Sequence, residues 1–393
     1  MRGISCVLAL ACFGLVGCGS SKSGSSNNSS SGASNGGGSS SAGSSSTSFS
    51  GSSGLMTPPG EAPMAMPIIS HGVPAFASNV AIASAATDAN DGNPASSWTS
   101  ASIPASLAYD LSGVPADQRQ QVLIAWYAPQ SQDFINMVPT DPSKHLPVDY
   151  TIEMNMADGG GMPPTDGWMN LTTVTGNNRS TQQLLANING ANWVRMNITK
   201  SSDPALVQID LDVHSAPDGA TDSWLFMGDS ITVLTTTYAF SDLPSLVNMI
   251  DPTRWPAIIP AGIGGTNTMT ATDAIADTMM NFPGRFVTLN YGTNDHPDMY
   301  EMEGLVQTVI AAGKVPVVPH VSWTADEPYA TSDAMINQQI DALYAKYPQI
   351  YPGPDFWTIF MNRTDLIPAT DIHPNTAGQE VFRQNWAIAM TQQ

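Results

Sequence analysis

Residues Trp224 to Thr232 read Trp-Leu-Phe-Met-Gly-Asp-Ser-Ile-Thr, an apolar run of buried-strand character that ends on Gly228, Asp229 and Ser230. A continuous apolar run suits a strand covered on both faces, and such strands belong to parallel sheets flanked by helices. The segment after Ser230 can be helical. A serine at the carboxyl end of a buried strand, beside a glycine that permits a tight turn, is where an α/β enzyme can expose a nucleophilic hydroxyl. Gly-Asp-Ser by itself is a weak sign, since the same residues cap helices and fill loops.

The pattern after Trp224 extends this reading. Strands are expected at WLFMGD, WPAIIPA, RFVTLNY, KVPVVPH and DFWTIF, and helices near DLPSLVNMI, TATDAIADTMM, MEGLVQTVIAA, SDAMINQQIDALYAKY and TAGQEVFRQNWAIAM. Short apolar strands alternating with helical stretches predict a parallel sheet in a three-layer α/β/α domain over residues 222–393.

Residues 65–218 read differently. SLAYDL, QVLIAWYA, DYTIEMNM, WMNLTTVTG, WVRMNITK and ALVQIDLDV are short β-type runs separated by Pro, Gly, Asp and Asn. Several alternate apolar and polar residues, as half-buried antiparallel strands do, and a β-sandwich is the natural architecture. Trp98, Trp126 and Trp193 sit in strand-like surroundings and are expected in its core, whereas Trp168, after the loop GGGMPPTDG, is the better candidate for an exposed stacking surface. The polar stretch SAPDGATDS separates the two regions.

The amino terminus has a third character. Residues 1–17 hold one basic residue, Arg2, and an apolar run too short to span a bilayer, which reads as a secretory signal. Residues 18–64 are dominated by Ser, Gly, Asn and Ala over most of their length and cannot bury a core, so they read as a flexible tether. Cys6 and Cys12 lie within the signal, so no disulfide is expected in the mature chain. Thirteen Lys and Arg against 33 Asp and Glu give a net charge of −20. Nucleic acid and anionic lipid both need a basic patch, so they are poor partners and neutral substrates fit better.

Leu15-Val16-Gly17-Cys18 resembles the lipobox of bacterial lipoproteins, which implies lipidation of Cys18 and anchoring of the exported chain in the cell envelope. No aspartate follows Cys18, which points to the outer membrane or cell surface. The run from Ala85 to Pro94 with its Asp91-Gly92-Asn93 turn, then Trp98, YDLSG, LIAWYA, YTIEM and WVRMNIT, resembles the discoidin or coagulation-factor type C module, a galactose-binding-like jelly roll. That resemblance implies carbohydrate binding and a structural calcium near Asp91 and Asn93; an Asx-type turn with no metal is the alternative.

Four ordered motifs fall at the ends of the expected α/β strands or in the final loop: Gly228-Asp229-Ser230, Gly262-Ile263-Gly264-Gly265-Thr266, Gly292-Thr293-Asn294-Asp295 and Asp371-Ile372-His373-Pro374-Asn375. Together they resemble the SGNH, or GDSL, hydrolases over nearly the whole C-terminal domain. The resemblance implies Ser230 as nucleophile, His373 as general base, and an oxyanion hole from the Ser230 and Gly265 N–H groups and the Asn294 amide, with Gly264 the other glycine that could align. It implies no cofactor for catalysis. The usual Asp-x-x-His spacing would put the acid at position 370, which is Thr370 here. Asp371, Asp365 or a Ser-His dyad remain open for that role. No HxH or HExxH spacing marks a zinc site, and His296 and His320 fall at the same rim as the motifs.

The function these readings imply is an extracytoplasmic serine esterase acting on O-acetyl groups of a carbohydrate. A general short-chain carboxylesterase or lipase-like enzyme, or a non-catalytic lipid-anchored carbohydrate-binding protein, are the alternatives.

Overall fold

The computed structural model describes residues 63–93, 95–129, 145–237, 242–280, 282–296 and 299–392. The signal, Cys18 and nearly all of the tether lie outside the described residues.

Nine strands form the first region: β1 (Ala75–Ala77), β2 (Trp98–Thr99), β3 (Ala105–Asp110), β4 (Gln121–Tyr127), β5 (Pro147–Asn155), β6 (Met169–Val174), β7 (Thr181–Asn187), β8 (Trp193–Ser201) and β9 (Gln208–Ser215). They make two antiparallel sheets, ordered β1-β3-β8-β5-β6 and β2-β9-β4-β7. Inward residues of both sheets share one core, with Leu107 and Tyr109 from β3, Val122 and Ile124 from β4, and Ile209, Leu211 and Val213 from β9. Period-two alternation is what lets one strand feed that core and present polar residues on its other face. Trp98 and Trp126 lie in that core as expected, whereas Trp193, one position before the inward Val194, is buried against Phe76 outside it. Trp168 is half-buried: the Arg195 guanidinium lies 3.9 Å from its ring centroid, and its indole N–H donates to Pro164 O at 2.9 Å. One ring face is thus already taken by a cation.

The second region alternates strand and helix: β10 (Ser223–Gly228), α1 (Ser230–Thr237), α2 (Leu243–Ile250), β11 (Ala257–Gly262), α3 (Thr268–Met279), β12 (Phe286–Asn290), α4 (Met302–Ala311), β13 (Val315–His320), α5 (Tyr329–Lys346), β14 (Tyr351–Asp355), α6 (Phe356–Met361) and α7 (Thr376–Thr391). The sheet is parallel, with order β11-β10-β12-β13-β14. Every residue of β10 is buried, because helices cover both faces. The strand order reverses beside β10, which is where open α/β sheets place ligands.

One expected strand is a helix. DFWTIF forms α6, and the fifth strand is the preceding Tyr-Pro-Gly-Pro-Asp. Asp355 accepts the Thr358 N–H at 3.1 Å and starts the helix, which then places Phe356 and Phe360 four residues apart in the core. Two prolines and a glycine hide the strand from propensity. They are tolerated because β14 is an edge strand, paired only with β13. The strand β7, Thr-Gln-Gln-Leu-Leu-Ala-Asn, has no strand signal of its own; it forms because β4 pairs with it along its whole length.

Residues 54–393 cluster as one unit, so sandwich and α/β layers pack together. Leu123 and Ala125, on the outer face of β4, join the α/β core that contains Leu225 and Met227. Thr181 of β7 hydrogen bonds to Pro260 O and Gln183 to Thr278 O. The polar connector ends on Asp222, fully buried, whose carboxylate takes two hydrogen bonds from Arg254, at 2.9 and 2.7 Å. Arg254 also donates to Met390 O, so this pair ties the start of β10 to α7.

Candidate active site

The first motif forms because Gly228 must be glycine. A side chain there would lie 2.6 Å from Asn290 O and would also collide with Thr232, whose own hydroxyl accepts a hydrogen bond from Asn290 Nδ2 at 2.9 Å. The bare backbone lets the first turn of α1 close over the sheet end, and Ser230 is left at the amino terminus of that helix. Asp229 turns inward. Its carboxylate accepts the Ile231 N–H at 2.9 Å, and burial raises its pKa to about 7, with the charge of Asp295 adding to the shift.

Ser230 Oγ lies 2.8 Å from His373 Nε2, although the two residues are far apart in sequence. On the other side of the ring, His373 Nδ1 lies 2.9 Å from Asp371 Oδ1, and the same oxygen accepts the His373 backbone N–H at 3.0 Å. Burial works to raise the Asp371 pKa, but the hydrogen bonds from His373 and the imidazole's charge bring it below its ordinary value. Asp365 is turned away: both its carboxylate oxygens accept from Arg363 at 2.9 Å. Of the two carboxylates open in the sequence, Asp371 is the one on the imidazole.

The loop that carries Asp371 and His373 is tied at several points. Asn375 caps α7 by accepting from Gly378 N at 3.0 Å, and its Nδ2 donates to Asp365 O at 2.8 Å. Thr324, 1% exposed in the segment after β13, donates its hydroxyl to Asp371 O at 2.9 Å. No local pattern marks Thr324, because its partner is set by the tertiary fold.

Gly265 has φ +76° in the turn closed by the Thr266 N–H on Ile263 O. Only glycine adopts this without strain. Asn294 Nδ2 donates to Thr266 O at 2.9 Å, which joins the turn after β12 to the glycine turn. An amide nitrogen carries two protons, so one donor is used in this link and a second remains. Asn267 caps α3, and Asp295 ties its first turn to the loop after β12 by accepting from Thr268 N at 2.9 Å and from the Thr268 hydroxyl.

The remaining histidines have other roles. His296 Nδ1 lies 2.8 Å from Ser332 Oγ, and its ring stands edge-on to Tyr329 at 4.5 Å. His320 sits between Asp341 and Asp355, at 3.1 and 3.3 Å. In the sandwich, Asp91 accepts from Asn93 N at 2.8 Å and Ser96 Oγ at 2.7 Å, an Asx-type turn. Among the described residues no group of three or more His, Cys, Asp or Glu side chains is placed to hold a metal ion.

Residues 226–381 match the model of the GDSL-like lipase/acylhydrolase family. No curated protein matches the chain. Among solved structures, Axe2, an acetylxylan esterase from Geobacillus stearothermophilus, is 13% identical, covers 43% of this chain and 94% of its own, and has a TM-score of 0.36. A chitosan-binding module of a chitosanase/glucanase from Paenibacillus sp. IK-5 is 19% identical over 37% of this chain and 97% of its own, with a TM-score of 0.29. The family 32 carbohydrate-binding module of NanJ from C. perfringens, solved with galactose, is 16% identical over 38% and 98%, with a TM-score of 0.28. Likenesses at these scores say nothing about the substrate of this chain. The α/β domain carries the match to the GDSL-like lipase/acylhydrolase model and is an ester-bond hydrolase.

Proposed function

We propose that this chain, whose residues 226–381 carry the acylhydrolase match, is a serine esterase that removes O-acetyl groups from carbohydrate by way of Ser230, His373 and Asp371. The observation that carries the chemistry is the unbroken chain from Ser230 Oγ through the imidazole to Asp371, with contacts of 2.8 and 2.9 Å. Ser230 Oγ attacks the ester carbonyl carbon while His373 Nε2 takes its proton. The tetrahedral oxyanion is held by the Ser230 N–H, the Gly265 N–H and the free donor of Asn294, and the positive end of α1 adds to that field. Collapse breaks the ester bond. The sugar hydroxyl leaves with the proton from His373, and water then hydrolyses the acetyl-serine with His373 again as base. Asp371 accepts from Nδ1–H, which holds the tautomer that leaves Nε2 free to take a proton.

Acetyl groups are favoured over long acyl chains because the sequence holds no extended apolar lid insertion between the α/β strands. A carbohydrate carrier is favoured because the Asp91-Gly92-Asn93 turn, Trp98 and the strand motifs that follow resemble, in sequence, the galactose-binding-like module. The chain fits export and lipidation at Cys18, with the tether holding the catalytic domain off the membrane. Loss of membrane association in Cys18→Ser tests that part. The oxygen donors of Asp91 and Asn93 suit a structural calcium, which would brace the sandwich loop and take no part in ester cleavage. Calcium-dependent thermal stability that disappears in Asp91→Ala tests it.

The deciding experiment is acetate release across a panel of acetylated glycans, beside nitrophenyl esters of rising chain length, for the parent and Ser230→Ala. Acetate release by the parent alone supports the reading. Equal inactivity of both proteins on acetyl esters and glycans overturns it in favour of a binding protein, and a preference for long acyl esters favours a lipase-like enzyme.

A further inference from the structure

The polar face of one sandwich sheet is turned inward rather than to solvent. Ile209, Leu211 and Val213 of β9 fill the sandwich core, so Asp210, Asp212 and His214 project from the opposite face. That face meets the α/β layer, and between them lies a cavity of about 670 Å³. Asp91, Asp210, Asp212 and His214 line it, together with Asp242, the N-cap of α2. No Lys or Arg is among its lining residues, and Ser230 does not line it.

Acceptors dominate this cavity. His214 is 4% exposed, and its Nδ1 faces Met66 O at 3.1 Å, so Nδ1 carries the proton. Its Nε2 therefore holds a bare lone pair, and it has no partner. Burial keeps the ring neutral by lowering its pKa to about 4. Asp210 is 9% exposed and stands beside Asp212, whose pKa is pushed to about 7 by burial and then by the charges of Asp242 and Asp91. The hydroxyls of Thr235 and Thr236 donate to Ile231 O and Thr232 O, and that of Ser245 to Asp242, so their lone pairs are what remain. Against these stand the indole N–H of Trp255 and the imidazole of His71.

Carboxylates gathered with only the His71 imidazole to offset them, and that acting on Asp242, raise the energy of the folded chain unless a further positive group joins them. A bare ion is too small for this volume, and among the described residues no three acidic or histidine side chains converge to bind one. Even with calcium on Asp91 and Asn93, Asp210, Asp212, Asp242 and His214 still face the cavity. We propose that this cavity is a second ligand site, separate from Ser230, for an amino sugar. Its ammonium pairs with Asp210 and Asp212, and its hydroxyls donate to His214 Nε2 and Asp242. The site stands whether or not the chemistry at Ser230 is that of a sugar esterase.

Calorimetric titration of the full mature chain at neutral pH, in saturating calcium, with the β-1,4-linked glucosamine disaccharide tests this. The expected result is binding that Ser230→Ala retains, that the N-acetylated disaccharide fails to reproduce, and that Asp212→Asn weakens by roughly tenfold or more, as loss of one charge-assisted contact does. Asp212→Asn should leave turnover of a nitrophenyl acetate unchanged. Asp242→Asn is the second variant should Asp212→Asn not fold, and the same weakening is expected. Equal binding of the free and N-acetylated sugars, no binding of either, or unchanged affinity in a folded variant overturns the proposal. Amine binding that appears only when calcium is withheld shows a metal site instead and also overturns it.

Discussion

His373 Nδ1 and Asp371 Oδ1 lie 2.9 Å apart with a single residue between them in the chain. The same carboxylate oxygen accepts the His373 backbone N–H, so the side chain folds back over its own turn to reach the ring. The Asp371 carboxylate thus reaches the ring from a shorter spacing than Asp-x-x-His.

Replacing Asp371 with Ala should lower kcat on an acetyl ester by about 10³-fold or more, because the imidazole loses the acceptor that fixes its tautomer. Asp365→Ala should stay within about threefold of the parent, since that carboxylate serves only an exposed pair with Arg363. The reverse ranking, read from steady-state kinetics of the two variants, would move the role to Asp365.

Asn294 has two tasks. Its amide holds Thr266 O at 2.9 Å and has a second proton to offer. Asn294→Ala should lower kcat by about 10²- to 10³-fold with KM little changed, as expected for a donor used mainly in the transition state. A rise in KM at constant kcat would show instead that the residue binds ground-state substrate.

Gly228→Ala should destabilise the chain by about 1–3 kcal/mol, since a methyl there would press on Asn290 O at 2.6 Å and on Thr232. Urea unfolding reads this directly. Activity should fall as well, because the same contact sets the turn that presents Ser230.

Stability should decline between about pH 4 and pH 8. Asp333 is 1% exposed, and neither carboxylate oxygen has a partner; burial, and then the charge of Asp229, raises its pKa to about 8. The folded chain therefore holds this proton where the unfolded chain has already lost it. The stability this gives is present at low pH and is lost as pH rises toward the folded value, with a slope up to about 1.4 kcal/mol per pH unit for one group. Asp229, raised to about 7, acts in the same direction. Asp333→Asn should flatten the profile and stabilise the protein at pH 8, as measured by unfolding midpoints across pH; an unchanged profile would show that Asp333 is not the group responsible.

What the sequence determined by itself is whatever rests on local chemistry. The apolar run into Gly228-Asp229-Ser230 declared a buried strand and its turn, because four apolar residues have few other stable places. Alternation in β9 and the apolar run of β4 declared strands, and Asn375 declared the start of α7, since its side chain serves an N–H only three residues on. The tertiary structure decided what depends on distant partners. Tyr351–Asp355 is a strand only because β13 offers it an edge, against the propensity of its own prolines. Asp371 rather than Asp365 meets His373 because Arg363 holds Asp365 away and Thr324, far off in sequence, grips the loop. Asp210, Asp212 and His214 look like the solvated side of a strand when read alone. They line a cavity because the α/β layer closes over that side, a matter of packing that alternation within one strand cannot record.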